Sequence, residues 1–80
     1  MQLEIITPDK RVYEGEVKLV KVPGSKGSFE ILRNHAPIIS TLNEGKIKVV
    51  DQSDEISYFD IGGGIIEVRH NHIIILVESV

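Results

Sequence analysis

The chain has 80 residues, no cysteine and a formal net charge of −3. This length predicts one small domain, residues 1–80. The absence of cysteine excludes disulfides and thiolate metal sites, and the acidic balance disfavours nucleic-acid binding. The longest apolar run, Ile73–Val77, is much shorter than the roughly 20 residues of a membrane-spanning helix, so we expect no direct membrane insertion. Met1 leads directly into a strand-like run, which predicts a cytosolic bacterial protein without a secretory signal.

The aliphatic residues are mainly β-branched, since 22 of the 27 Ile, Leu and Val residues are Ile or Val. Such side chains lose rotamer freedom in a helix and pack well on a sheet. With turn residues recurring at short intervals, they predict an all-β fold: a two-sheet, mainly antiparallel β-sandwich of about 8–10 short strands and no substantial helix. The predicted strands, in chain order, are Leu3–Thr7, Arg11–Glu16, Val17–Val22, Ser28–Leu32, Pro37–Leu42, Lys46–Asp51, Glu55–Ile61, Ile65–Arg69 and His72–Glu78. Gly15 is predicted to bend the chain between the second and third of these.

Two glycine-rich segments and one histidine pair were considered as ligand sites. Gly24–Ser28 lacks the spacing of a phosphate-binding loop and leads into a predicted strand instead of a helix, so we expect no bound nucleotide or other cofactor. Gly62–Gly64 is likewise followed by alternating residues, which indicates a backbone role. His70 and His72 could share one strand face and bind a metal, but solvated turn histidines are the simpler interpretation.

His35 could be combined with Ser28, Ser40 and Asp51 into a Ser-His-Asp triad. No segment of the sequence marks a strained nucleophile, however, so we predict no catalytic residues. We expect His35 to be a turn or interface residue whose side chain is hydrogen-bonded to a neighbour.

In several predicted strands two or more apolar residues follow one another instead of alternating with polar residues. Two consecutive apolar residues in a strand lie on opposite faces of the sheet. The outer residue would be exposed in a free monomer, so a second buried surface is expected. The segments concerned are Ile5-Ile6, Leu19-Val20, Ile38-Ile39, Val49-Val50, Ile65-Ile66 and Ile73–Val77.

Two stretches, Val22–Leu42 and Ile61–Arg69, resemble the amino-terminal β-sandwich domain of the epsilon subunit of bacterial F-type ATP synthases. That family shows roughly V-x-G-x-x-G-x-x-G-I-x-P-G-H-A-P, followed by a small-Gly-Gly segment and an aliphatic-aliphatic-Glu-Val run. The resemblance covers Gln2 to Glu78. The matching residues are Val22, Gly24, Gly27, Ile31, His35, Ala36, Pro37, Gly63, Gly64, Glu67 and Val68.

The resemblance implies a non-catalytic central-stalk subunit that links the gamma subunit to the c-subunit ring. It would support the coupling of ion translocation to ATP synthesis at the cytoplasmic face of the bacterial inner membrane. The positions at which family members meet gamma correspond to Thr7, His35, Ser40 and Glu67. The positions at which they meet the ring correspond to Ser25, Lys26, Gly27 and Ser28.

The turns of this family are expected at Gly24, Asn34, Pro37, Gly62, Gly63 and Gly64. Two of these depart from the family pattern. Asn34 replaces the glycine usual before His35, and asparagine tolerates left-handed backbone well, so we expect the turn to persist. Gly62 replaces the usual serine and removes a side-chain hydrogen bond.

Many family members continue beyond the sandwich as an Ala-, Glu- and Arg-rich helical hairpin, which can inhibit rotation and in some binds ATP. The 80 residues contain no such segment, so we expect this chain to support stalk assembly without inhibiting hydrolysis by extension and without binding ATP. The alternative function is that of a free-standing β-sandwich that binds a ligand or carbohydrate. Such modules present aromatic platforms, and this chain has only four aromatic residues.

Overall fold

The structure is a computed structural model of the chain, and it describes residues 1–78. It confirms the all-β prediction, with eight strands and no helix among the described residues. The strands are β1 (Gln2–Ile6), β2 (Arg11–Val22), β3 (Phe29–Leu32), β4 (Ile38–Leu42), β5 (Gly45–Asp51), β6 (Ile56–Ile61), β7 (Gly64–Arg69) and β8 (His72–Val77). Within residues 1–78 there is accordingly no helix that could cross a membrane.

The strands form two layers that are continuous through β2. The first sheet has the order β4-β7-β8-β1-β2, and in the second sheet β2 lies between β3 and β5, with β6 at the edge. All pairs are antiparallel except β1 and β8, which are parallel. The predicted sandwich is therefore one mixed sheet that curls back on itself.

The predicted strand break at Gly15 is wrong, because Arg11–Val22 is a single strand. Gly15 pairs with Leu3 inside the first sheet, and a methyl group there would make only ordinary van der Waals contact with the Tyr13 ring. The strand changes sheet further on, where a register shift between Val17 and Leu19 forms a bulge opposite β5. A bulge increases the local bend and twist of a strand. The bend that was predicted at Gly15 is therefore produced by the bulge after Val17.

The core lies between the two layers and consists of sixteen buried apolar side chains contributed by both. Eleven of the twelve largest fully buried side chains are Ile or Val, and the twelfth is Leu3. Burial of each such side chain stabilises the fold by roughly 1.5–3 kcal/mol. Their branched shapes suit the pleated surface, which explains why composition alone predicted the fold class.

Most of the expected turn residues have a visible backbone reason. Asn34 has φ 64°, in the left-handed region, and Gly63 has φ 133°. A side chain at Gly24 would overlap the Phe29 ring and the carbonyl oxygen of Gly27, and one at Gly64 would overlap the carbonyl oxygen of Leu76.

The two remaining turn predictions have weaker structural reasons. Pro37 immediately precedes β4, where its fixed φ and missing N–H do not disturb a ladder. Gly62 has open space around its α-carbon.

Candidate interaction surfaces

The outward side of the first sheet carries a cluster of apolar side chains, which we call the apolar outer face: Ile6, Ile39, Ile65, Ile74 and Leu76. Ile39 is 73% exposed, Leu76 50% and Ile65 46%. Register brings them together, since Leu76 lies directly between Ile6 and Ile65 on neighbouring strands. Three large aliphatic side chains on one sheet, each with about half or more of its surface exposed, are typical of a contact surface.

Glu67 lies in the middle of the apolar outer face. On β7 it is paired with Ile39 of β4 on one side and Ile74 of β8 on the other. Its carboxylate is 4.0 Å from the guanidinium of Arg69, and the side chain is 42% exposed. A single carboxylate surrounded by aliphatic side chains can fix the orientation of a partner that supplies a donor at that point.

One border of this face is polar. Glu4 on β1 accepts from Nε2 of His72 at 2.9 Å, and its other oxygen lies 3.3 Å from a guanidinium nitrogen of Arg11. The Glu4 side chain is only 16% exposed. These three polar residues, His72, Glu4 and Arg11, therefore connect β8, β1 and β2 and form the polar edge of the apolar outer face.

A second, smaller apolar row crosses the outward side of the other sheet, and we call it the second-sheet row. Leu32, Leu19, Val50 and Ile56 are successive register partners across β3, β2, β5 and β6. Leu32 and Ile56 are about half exposed. The two surfaces confirm the prediction that the breaks in alternation place apolar residues outward.

The structure does not bring the four predicted gamma-contact residues into one patch. Thr7 is 8% exposed, and its hydroxyl donates to the carbonyl of Lys10 while it accepts from the amides of Asp9 and Lys10. Thr7 therefore closes the β1–β2 turn.

The other three predicted gamma contacts lie around β4. His35 lies in the loop before this strand, where its Nδ1–H donates to the carbonyl of Ala36 at 2.7 Å. Ser40 is on the inward-facing side of β4, whereas Glu67 is on the outward face of β7. Of these three, only Glu67 lies on the apolar outer face. Thr7 lines a shallow concavity of that face together with Ile6, Ile65 and Leu76.

The predicted ring-contact loop is fully exposed from Ser25 to Ser28. The Gly27 amide donates to the carbonyl of Gly24 at 3.0 Å, which closes a tight turn, and Gly27 has φ 124° with nothing near its α-carbon. Ser25 ties the turn to β4, because its amide donates to the Thr41 carbonyl and its hydroxyl shares a 2.6 Å hydrogen bond with that of Thr41. The loop is thus a short projection held at the end of β4.

Neither the Ser-His-Asp triad around His35 nor a metal site with His70 and His72 is formed among residues 1–78. No group of three or more His, Asp or Glu side chains is placed to hold a metal there. His70 lies in the β7–β8 turn and His72 bonds to Glu4. The described hydrogen bond of the His35 ring goes to a backbone carbonyl, not to a serine or aspartate.

The family resemblance named Glu67 as a predicted gamma contact, but the sequence analysis did not assign Ile39, Ile65 or Leu76 to a site. The signal was available, since each lies in a segment where alternation fails. What was missing was the face on which each residue lies, because strand register decides that and a one-residue shift exchanges the faces.

Comparison with known proteins decides the family. The family model for the β-sandwich domain of the ATP synthase delta/epsilon chain matches residues 1–80. The chain belongs to this family. It is 38% identical over 78 residues to the ATP synthase epsilon chains of Caulobacter vibrioides and Protochlamydia amoebophila. Each of these two alignments includes 98% of this chain. It spans 90% of the Caulobacter protein but only 53% of the Protochlamydia protein.

Two solved structures contain a chain with the same fold. A chain in the Euglena gracilis mitochondrial ATP synthase structure of OSCP, F1 and c-ring superposes with a TM-score of 0.90 at 18% identity, over 96% of this chain and 49% of that one. A chain in the Tetrahymena thermophila structure of central stalk and c-ring gives 0.84 at 20% identity, over 99% and 63%. At such low identity, the likeness concerns the fold of the β-sandwich.

Proposed function

We propose that this chain is a non-catalytic central-stalk component of an F-type ATP synthase, in which it links the gamma subunit to the c-subunit ring. It supports coupling of ion translocation to ATP synthesis, while the catalytic sites lie in other chains. In the cell it is attached peripherally, through these partners, at the cytoplasmic face of a bacterial inner membrane. Family membership supports this proposal, and the apolar outer face is the observation that carries it.

The apolar outer face is the surface proposed to bind gamma. It combines exposed aliphatic side chains with one central carboxylate. Edge strand β4 contributes Ile39 to it, and the loop with His35 leads into that strand. Thr7 and Ser40 are proposed to act indirectly, since Thr7 holds the turn that follows β1 and Ser40 lies on the inward side of β4. Glu67, which lies among the exposed aliphatic residues, is the predicted residue proposed to contact gamma directly, and His35 is proposed to contact it from the loop before β4.

The loop Ser25–Ser28 is proposed to contact the polar loops of the c-ring. It lies at the carboxyl end of β4, whereas His35 precedes the amino end. Four residue steps along a strand span about 14 Å. The two proposed contacts are thus separated by the length of one short strand, and the Ser25–Thr41 bonds connect the loop to that strand.

The alternative of a free-standing ligand or carbohydrate binder has less support. Phe29, Tyr13 and Phe59 pack against the core, and the rings of Tyr13 and Phe59 lie edge to face with centroids 5.8 Å apart. Burial raises the pKa of the Tyr13 hydroxyl, and the carboxylates of Asp51 and Glu55 add to this shift. Tyr58 is left as the exposed aromatic of residues 1–78, which is too little for a stacking platform.

Co-expression with a gamma subunit from an epsilon-containing ATP synthase, followed by size-exclusion chromatography, tests the proposal. We expect the two chains to elute together with one-to-one stoichiometry. Two separate peaks at micromolar concentrations, with the chain folded by circular dichroism, would contradict a role in the stalk.

A further inference from the structure

The loop before β4 and the turn between β7 and β8 are joined by two asparagine side chains. The backbone N–H of Asn34 donates to Oδ1 of Asn71 at 2.6 Å, and Nδ2–H of Asn71 donates to Oδ1 of Asn34 at 2.9 Å. The two residues are 37 positions apart in the chain. Both residues have left-handed backbone, with φ 64° for Asn34 and 60° for Asn71.

Asn71 also connects to a third segment. Its carbonyl accepts the N–H of Gln2 at 2.9 Å, at the start of the parallel β1–β8 pair. The β7–β8 turn is therefore fixed to the sheet on one side and to the loop on the other. Of the hydrogen bonds described within residues 1–78, the Asn34–Asn71 pair alone joins this turn to the loop.

The loop held in this way contains His35. The His35 amide donates to the Leu32 carbonyl at 3.1 Å, and its ring bonds to the next residue, so both contacts are local. Local bonds define the shape of the loop, and the pairing of Ile38 with Val68 fixes its end to the first sheet. The Asn34–Asn71 pair supplies a second long-range connection, at the residue next to His35.

We propose that Asn34 and Asn71 are positioning residues that hold His35 in place for partner binding. Glycine, usual at position 34 in the family pattern, could adopt the same φ but could not accept the Asn71 donor. In this chain the departure from glycine thus adds a side-chain bond that orders the loop. The link to partner binding depends on the proposed gamma contact; the ordering of the loop does not.

A double-mutant cycle tests the inference with Asn34→Gly, Asn71→Gly and the double variant. Glycine is compatible with both positive φ values, so the backbone path is retained. Asn71→Gly removes both hydrogen bonds, whereas Asn34→Gly removes only the bond between the two side chains, because the backbone N–H of residue 34 remains. The coupling energy is the effect of the double variant minus the sum of the effects of the two single variants. The effect of each glycine on the unfolded chain occurs in a single variant and again in the double variant, so it cancels in this difference. Circular dichroism and thermal unfolding check that all four proteins fold.

The first readout is made on the free chain. We expect hydrogen exchange at the Asn34 amide to accelerate about three- to tenfold in Asn71→Gly, as for the loss of one typical hydrogen bond. We also expect the NMR signals of the His35 ring to move at least as far in Asn71→Gly, which loses both bonds, as in Asn34→Gly, which loses one, and to move in the double variant as in Asn71→Gly. Unchanged exchange of the Asn34 amide, or additive shifts of the His35 signals, would overturn the inference.

The second readout is the affinity for gamma by titration calorimetry. Each single variant is expected to weaken binding about threefold or more, and the double variant is expected to be no weaker than either single. Losses that multiply in the double variant would refute a joint positioning role. If the unmodified chain does not bind gamma at all, the proposed function fails, while the exchange and NMR data still decide whether the pair orders the loop.

Discussion

At the residue scale, glycine and asparagine determine where this small sandwich can turn and how closely its strands approach. Gly64 begins β7 directly opposite Val77, and its α-hydrogen faces the carbonyl of Leu76. Gly62, two positions earlier, has no neighbour in the corresponding direction and no positive φ in the left-handed range. Gly64 therefore has a steric reason to be glycine, and Gly62 shows none.

This difference gives a matched pair of substitutions. Gly64→Ala places a methyl group against the Leu76 carbonyl, so β7 and β8 must separate, and we expect a loss of about 1–3 kcal/mol in the free energy of unfolding. Gly62→Ala should change stability by no more than about 0.5 kcal/mol. Urea unfolding followed by circular dichroism measures both. Equal stability of the two variants would show that the close approach at Gly64 is not constrained.

At the element scale, each strand agrees with the pattern of its residues, but its partners do not follow from that pattern. Local alternation and turn residues predicted the strands to within about two residues at each end, and strand boundaries vary by that amount between assignment methods. The exception is β2, which was predicted as two strands. The parallel pairing of β1 with β8 joins the two ends of the described chain and has no local signature. The bulge after Val17 depends on β5, which lies far along the sequence.

The ring-contact loop allows a prediction at this scale. We expect Gly27→Trp to reduce the coupling of ATP hydrolysis to ion pumping, because it adds bulk at the tip of an exposed projection. Gly27→Ala is the matched control, since it imposes the same strain at φ 124° without the bulk. Lys26→Glu should have a smaller, salt-sensitive effect, because an exposed charge contact is typically worth about 0–1 kcal/mol.

Reconstituted vesicles measure this coupling through proton or sodium uptake driven by ATP. Pumping by the Trp variant equal to that of the Ala variant would argue against contact between the loop and the ring.

At the scale of the whole molecule, two sheets share one core and present two different outward surfaces. The sequence was sufficient to predict the fold class, the strands and the apolar residues on both faces of the sheet at the breaks in alternation. It could not show that Ser40 and Glu67 lie on opposite faces of one sheet, or that Asn34 reaches Asn71. These relations depend on register and on the packing of loops that are distant in sequence.

The central claim is that gamma binds the apolar outer face and not the second-sheet row. Ile39 and Ile56 form a matched pair for this test, since both are exposed isoleucines on edge strands, β4 and β6, of opposite sheets. Replacing either by glutamate leaves the core intact, so both variants should keep the stability of the unmodified chain to within about 0.5 kcal/mol.

The decisive measurement is the dissociation constant of the gamma complex for Ile39→Glu and Ile56→Glu, compared with the unmodified chain at one salt concentration. We expect Ile39→Glu to weaken binding at least about tenfold, because a carboxylate would be buried against an apolar partner surface beside Glu67. Ile56→Glu should change the constant by less than about twofold, since its surface stays in solvent. Weakened binding in Ile56→Glu with unchanged binding in Ile39→Glu would place gamma on the other sheet and contradict the account.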